Sequence, residues 1–199
     1  EVDLFLVPSA EKLPTVSIII PCYNLAHMIG ETADSVVSQS FQDWECIIVN
    51  DGSTDNTRET AMDITARHGK RFRLVETVNR GLANARNLGI SNARGKYILP
   101  LDADDMIKPE MLETTVGFLE ANPDFGIVST YIQHFGLRDD VWATGPFSIE
   151  IEKANNVLPY CSLYRREVYD SVGGYNSTTL RSEYEDWDFW LGAMEKGWQ

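Results

Sequence analysis

Short apolar runs alternate with segments of helical spacing along most of the chain. "VSIII" (Val16–Ile20) is β-branched and bounded by Pro14 and Pro21, which predicts a buried strand. Met28 to Ser40 suits a helix, and "ECIIVN" (Glu45–Asn50) is a second strand that stops at "DGSTDNT". From Thr54 to His68 the spacing is helical, with Ser53 or Thr54 as N-cap, Asp55 in the first turn and Gly69 as the stop. "FRLVE" (Phe72–Glu76) is a third strand, and the Ala-rich "GLANARNLGISNARG" predicts a helix running to Gly95. "KYILPL" reads as a fourth strand, although Pro100 lacks a ladder donor. Pro109 opens a further helix to Asn122, and "GIVSTYI" (Gly126–Ile132) is a fifth strand.

Strands alternating with helices predict an α/β fold: a parallel-rich, Rossmann-like sheet flanked by helices on both faces. Ligands in such sheets collect beyond the carboxyl ends of the strands. Pro21–Asn24, Asp51 and Asp102–Asp105 all follow strand ends, so they are expected on one rim. After Gly136 the rhythm breaks. "GLRDDVWATGPFSIEIEKANNVLP" reads as a long loop or short antiparallel strands, "YCSLYRREVYDSVGGYN" as strand, helix and Gly-Gly turn, and "SEYEDWDFWLGAMEKGWQ" as a helix with an acidic start and an aromatic face. Without repeats or low-complexity linkers, the expected organisation is an N-terminal extension over residues 1–14 and one domain over 15–199, with a smaller region after about residue 136.

Composition narrows the function classes. With 43% hydrophobic residues in 199, the chain can bury a real core. A net charge of -13, from 17 basic and 30 acidic residues, argues against a surface built for nucleic acid or anionic lipid. A small phosphate ligand remains compatible, because a metal can supply positive charge locally. No apolar run approaches the roughly 18–20 residues of a membrane helix. The start carries acids where a secretory signal carries bases, so no targeting peptide is read there. Cys22, Cys46 and Cys161 sit in or beside apolar stretches and read as reduced thiols of a cytoplasmic protein. His27, His68 and His134 lack metal-ligand spacing.

The candidate chemistry lies at the strand ends. Asp102, Asp104 and Asp105 in "DADD" read either as a solvated acidic face or as oxygen donors for Mg²⁺ or Mn²⁺ shared with a diphosphate. Clustered carboxylates repel unless a cation, a proton or solvent relieves them. Asp51 in "NDGSTDNT" serves a turn, or accepts hydrogen bonds from a base or ribose. Arg86 in "NRGLANARN" lies on a closely packed helix, or reaches a base carbonyl or phosphate. Asp186 in "YEDWDFW" is a helix-start acid, or a base, and Trp187, Phe189 and Trp190 read as core. Neither GxGxxG after the first strand nor GxxxxGK[ST] anywhere is present.

"VSIIIPCYN", "QSFQDWECIIVNDGSTDNT", "NRGLANARNLGISNARGKYILPLDADD" and "YEDWDFW" together resemble the ordered motifs of family 2 glycosyltransferases, which have the GT-A fold. The resemblance spans Thr15 to Gly192. It implies that Pro21, Tyr23 and Asn24 contact the nucleotide and that Asp51 holds the base. It also implies that Arg86 lies near base and diphosphate, and that Asp102 serves ribose and metal while Asp104 binds the metal, with Asp105 a second contact. Asp186, preceded by Glu185, is implied as general base. The implied reaction is inverting, metal-dependent transfer (Mn²⁺ or Mg²⁺) from a UDP-sugar or similar donor to a carbohydrate, lipid or protein hydroxyl. The expected location is cytoplasmic, peripheral to the membrane through a larger assembly. Family members usually continue past the Glu-Asp helix, so a chain stopping at Gln199 is expected to be a fragment or to have a minimal acceptor site. A non-catalytic nucleotide-sugar binding module is the alternative. A nucleotidyltransferase is disfavoured, since no Gly-rich basic loop follows the first strand.

Overall fold

The computed structural model describes residues 12–143, 148–178 and 184–199. Most of the expected N-terminal extension (1–11), residues 144–147 of the polar segment, and Ser182 and Glu183 ahead of the aromatic helix lie outside them. The strands are β1 (Val16–Cys22), β2 (Trp44–Asp51), β3 (Phe72–Thr77), β4 (Tyr97–Pro100), β5 (Ile127–Val128), β6 (Ile132–Gln133), β7 (Val141–Trp142) and β8 (Leu163–Arg165). The helices are α1 (Ile29–Val37), α2 (Thr57–His68), α3 (Leu82–Ser91), α4 (Met111–Ala121), α5 (Ile149–Ala154), α6 (Arg166–Val172) and α7 (Glu185–Glu195).

The main sheet has the order β3-β2-β1-β4-β8-β5, and its first four strands run parallel. β8 is antiparallel to both β4 and β5. The expected α/β sheet with helices on both faces is therefore present. Val16, Ile18 and Ile20 pack with α1, α2 and α4 on one face, and Ile19, Ile47, Val49 and Ile98 pack with α3, α6 and α7 on the other. Such double-sided burial is why β1 and β2 read as nearly unbroken apolar runs. Gly89 lets α3 approach the sheet, since a Cβ there would sit 2.3 Å from Ile19 Cγ2.

Two prolines lie inside central strands and are accommodated by parity. Leu101 N–H donates to the Ile19 carbonyl, so odd residues of β1 face β4, and Pro21 faces β4 beyond the last pair, Ile19 with Pro100. Tyr97 N–H donates to Thr15, so Pro100 faces β8, whose pairing with β4 ends at Ile98. Neither missing N–H interrupts a ladder.

Several boundaries differ from expectation for identifiable reasons. β1 continues through Pro21 and Cys22 because β2 still pairs there. α2 starts at Thr57, and neither Ser53 nor Thr54 caps it. Ser53 Oγ accepts from Asn24 N–H (3.0 Å), Thr54 N–H donates to Asn24 Oδ1 (2.8 Å), and Asp55 Oδ1 takes the Thr57 amide (3.0 Å). α3 stops at Ser91 rather than Gly95, since Glu45 and Ser17 capture the amides of Arg94 and Gly95 at 2.7 and 2.8 Å. The helix expected from Pro109 begins at Met111. The expected fifth strand splits into β5 at the sheet edge and β6, which forms a separate hairpin with β7. α5 was not expected, because "IEIE" has a strand-like period of two. Ser148 Oγ accepts from Ile151 N–H and starts a helix whose one fully buried side chain is Glu152.

Glu45 ties the amino ends of β1, β2 and β3 together. Its side chain is 3% exposed and accepts from Ser17 Oγ (2.7 Å), Arg94 N–H (2.7 Å), Arg73 Nη2 (3.0 Å) and Arg94 Nε (3.1 Å). Burial alone raises its carboxyl, but these donors outweigh it and hold the group below its ordinary 4.5. A depressed carboxyl stabilises the fold above its unfolded value and loses that contribution as pH falls through the folded one. Glu45→Gln is expected to cost about 2 kcal/mol in urea unfolding at pH 7, with the gap closing as pH drops below 4.5. Equal midpoints at pH 7 would remove this role.

Candidate active site

The strand order switches sides at β1, with β2 and β3 added on one flank and β4 on the other, and the carboxyl ends of β1, β2 and β4 open there into a cleft of about 300 Å³. Pro21, Tyr23, Asp51, Leu82, Asp102 and Asp104 line it. The rim expected from the strand ends is thus present, and Tyr23, 47% exposed, offers an open aromatic face on it.

Asp51 is buried at the end of β2. Its Oδ1 accepts from Arg80 N–H and its Oδ2 from Gly81 N–H, both at 2.9 Å. It thereby satisfies amides ahead of α3, whose N-cap Gly81 has no side chain to do so. Gly52 follows with φ +69, and a Cβ there would meet Asn79 N at 2.5 Å, so glycine lets the two loops touch. Asn24 (φ 57) does not line the cleft. Its side-chain oxygen is engaged with Thr54 and Asp55, so it joins the first two rim loops.

The acidic cluster is divided by its surroundings. Asp104 is exposed and has no hydrogen-bond partner among the described residues. Asp105 accepts from the Tyr160 hydroxyl. Half-buried Asp102 accepts from Arg86 Nη2 at 2.9 Å. Burial pushes the Asp102 carboxyl up, Arg86 opposes this, and Asp105 and Asp104 add to the rise.

Arg86 lies behind the cleft, 1% exposed, with Nη1 donating to Glu185 Oε1. Burial disfavours its charge, but Asp102, Tyr175 and Glu185 outweigh that and keep it protonated. Its guanidinium lies 5.2 Å from the Tyr160 ring and 5.5 Å from that of Tyr175. Buried Glu185 is likewise raised by burial, with Arg86 opposing and Asp186 and Asp102 adding. Asp102, Arg86 and Glu185 form one ion triad from β4's end, α3 and α7. As found, Arg86 faces carboxylates rather than open cleft.

Asp186 is the next residue on α7, rotated about 100° from Glu185. The inward partner is therefore Glu185, while Asp186 stays half-buried. Asp186 Oδ2 accepts from Asn156 Nδ2 at 3.2 Å, and its Oδ1 from Trp187 N–H at 2.8 Å. Phe189 and Trp190 are core, as expected. Tyr160, Glu152 and Asn156 escaped sequence reasoning. Glu152 and Asn156 lie in a polar segment without clear period, and Tyr160 opens the stretch read as a strand.

Among the described residues no group of three or more His, Cys, Asp or Glu side chains could hold a metal ion. The exposed Asp104 beside Asp102 fits a hard cation nonetheless, because Mg²⁺ and Mn²⁺ commonly take one or two carboxylates and complete their shell with phosphate oxygens and water. The repulsion from Asp105 and Asp104, which adds to the burial-driven rise of Asp102, is what such a cation would relieve.

A family model described as Glycosyl transferase family 2 matches residues 17–173. The chain is 32% identical over 194 residues to EpsE of Bacillus subtilis (strain 168), covering 94% of this chain and 69% of that one. It is 42% identical over 190 residues to the chondroitin synthase of Pasteurella multocida (strain Pm70), covering 94% of this chain and 19% of that one. Among solved structures it is similar to the mannosyltransferase PcManGT from Pyrobaculum calidifontis in complex with GDP-Man and Mn²⁺, with TM-score 0.73 and 23% identity over 95% of this chain and 54% of that chain. It is also similar to S. aureus TarS 1–349 in complex with UDP-GlcNAc, with TM-score 0.74 and 21% identity over 90% of this chain and 53% of that chain. The chain therefore spans about half the length of these solved chains and a smaller share of the synthase.

Proposed function

The chain belongs to the family 2 glycosyltransferases, and from that premise we propose that it transfers a sugar from a UDP-linked donor to a carbohydrate hydroxyl with inversion. A polymer-forming relative, the chondroitin synthase, supports the carbohydrate acceptor over a lipid or protein one. The observation that carries the reading is the cleft at the β1, β2 and β4 ends, whose Asp102 is tied through Arg86 to the first turn of α7 beside Asp186. Tyr23 and Asp51 lie where the base and ribose would sit. Asp104 and Asp102 would hold a divalent cation there, which supplies charge neutralisation of the diphosphate leaving group. Arg86 fixes Asp102 and opposes the burial-driven rise of its carboxyl. Asp186 takes the proton of the acceptor hydroxyl as its oxygen attacks the anomeric carbon. One displacement inverts that carbon and requires no nucleophilic side chain. No helix among the described residues is long and apolar enough to cross a membrane. Action at the cytoplasmic side, within a larger assembly, is part of the same proposal.

Calorimetry with UDP, with and without Mn²⁺, tests the donor side. Asp104→Ala is expected to abolish the increment in UDP affinity that Mn²⁺ gives the wild type, while leaving the melting temperature unchanged, because Asp104 is exposed and has no partner among the described residues. A mutant that keeps the increment removes the metal assignment. UDP binding without turnover of any donor would instead support the binding-module alternative.

A further inference from the structure

α5 and the turn after it grip the start of α7 through two polar contacts outside the donor cleft, and an internal clamp shapes the turn. Trp187 Nε1 donates to the main-chain carbonyl of Glu152 at 2.7 Å. The Glu152 side chain is fully buried, and its Oε2 accepts from the amides of Val157 and Leu158 at 3.0 and 3.2 Å. That clamp closes the turn around Asn156, whose Nδ2 reaches Asp186 Oδ2 at 3.2 Å.

The Asn156 Oδ1 atom is buried and has no hydrogen-bond partner among the described residues. A flipped amide would set that oxygen against a carboxylate, two acceptors with no proton between them, so only the present orientation is stable. A buried orphan acceptor is unfavourable. Here it accompanies a single donor aimed at one carboxylate oxygen.

The groups facing Asp186 are otherwise mostly negative or neutral. Among the described residues, Glu152 comes from α5, Glu185 from its own helix and Tyr175 from the loop after α6, while Arg86 on α3 is engaged by Glu185 and Asp102. The geometry points to Asn156 as a positioning residue for sugar transfer, holding the Asp186 carboxylate in one rotamer through a hydrogen bond to Oδ2. The inference rests on Asp186 being the general base. Each Asp186 oxygen receives one N–H and keeps acceptor capacity for the incoming hydroxyl proton.

The test uses Asn156→Ala and Asn156→Asp, with Asn156→Ser, too short to reach Oδ2, standing in if the alanine variant does not fold. UDP affinity with Mn²⁺ is measured by calorimetry. Hydrolysis of whichever of UDP-N-acetylglucosamine, UDP-glucose and UDP-glucuronate the wild type turns over fastest is followed from roughly pH 5 to 9. Removing a donor to the charged form moves the acid limb of kcat to higher pH by about one unit in the alanine variant. The added like charge in the aspartate variant moves it further in the same direction. UDP affinity is expected to stay within about twofold, since Asn156 is outside the donor cleft. A purely structural role would lower kcat equally at all pH values, and an unmoved limb, or UDP affinity lost in parallel, overturns the proposal. If Asp186→Asn is inactive while the Asn156→Ala limb stays put, only the positioning role falls. If Asp186→Asn turns over like wild type, or the wild type hydrolyses none of the three donors, the base reading falls and this inference with it.

Discussion

Asp186→Asn is expected to bind UDP like the wild type and to transfer sugar ~10²–10⁴-fold more slowly, the span that general-base help typically supplies. The substitution is nearly isosteric. Its oxygen can still accept from Trp187 N–H and, once the Asn156 amide flips, its NH2 can donate to Asn156 Oδ1, but it cannot take a proton at neutral pH. Binding is preserved because Asp186 is not among the residues lining the donor cleft. Single-turnover transfer together with UDP calorimetry separates the two effects. A slow mutant that also fails to bind UDP would make Asp186 structural, and an equally fast one would discard it as the base.

Arg86→Met is expected to destabilise the fold by about 3–5 kcal/mol, since removing one partner of a buried ion network leaves charge uncompensated. Two carboxylates, Asp102 and Glu185, would then face each other, with Asp186, Asp104 and Asp105 near. The sign of the pH dependence follows from the carboxyls. Both are raised in the native protein, by burial first, and a raised acid favours the fold below its unfolded value and loses that contribution as pH rises through the folded one. The deficit of Arg86→Met should therefore be larger at pH 8 than at pH 4.5 in urea unfolding. Arg86→Met combined with Glu185→Met should recover part of it, as apolar replacement of buried ion networks often does. A single mutant within 1 kcal/mol of wild type at both pH values would mean the triad carries no such weight.

Local pattern was enough for the sheet and its rim. "III" (Ile18–Ile20) and "CIIV" (Cys46–Val49) are apolar at consecutive positions because both faces of β1 and β2 are covered, a local consequence of burial that needs no knowledge of partners. Residues just past those strands must lie at the carboxyl edge, so Pro21, Asp51 and Asp102–Asp105 could be placed on one rim from order alone. The segment after Gly136 was far less legible. Its two-residue strands and the six-residue α5 are too short for a period to accumulate, and "IEIE" carried the wrong one.

What each carboxylate does was decided only by packing. Asp51 spends both oxygens on the entry to α3, Asp102 and Glu185 share one guanidinium, and Asp104 alone of its trio stays open to solvent. These outcomes depend on which helices cross which face: Arg86 and Glu185 are 99 residues apart, and Asn156 reaches Asp186 across 30. Periodicity and turn chemistry act over a few residues, so the sequence by itself could determine the layers and the edge where chemistry collects. The desolvation and pairing that give similar acids different charges arise only once α3, α5 and α7 meet.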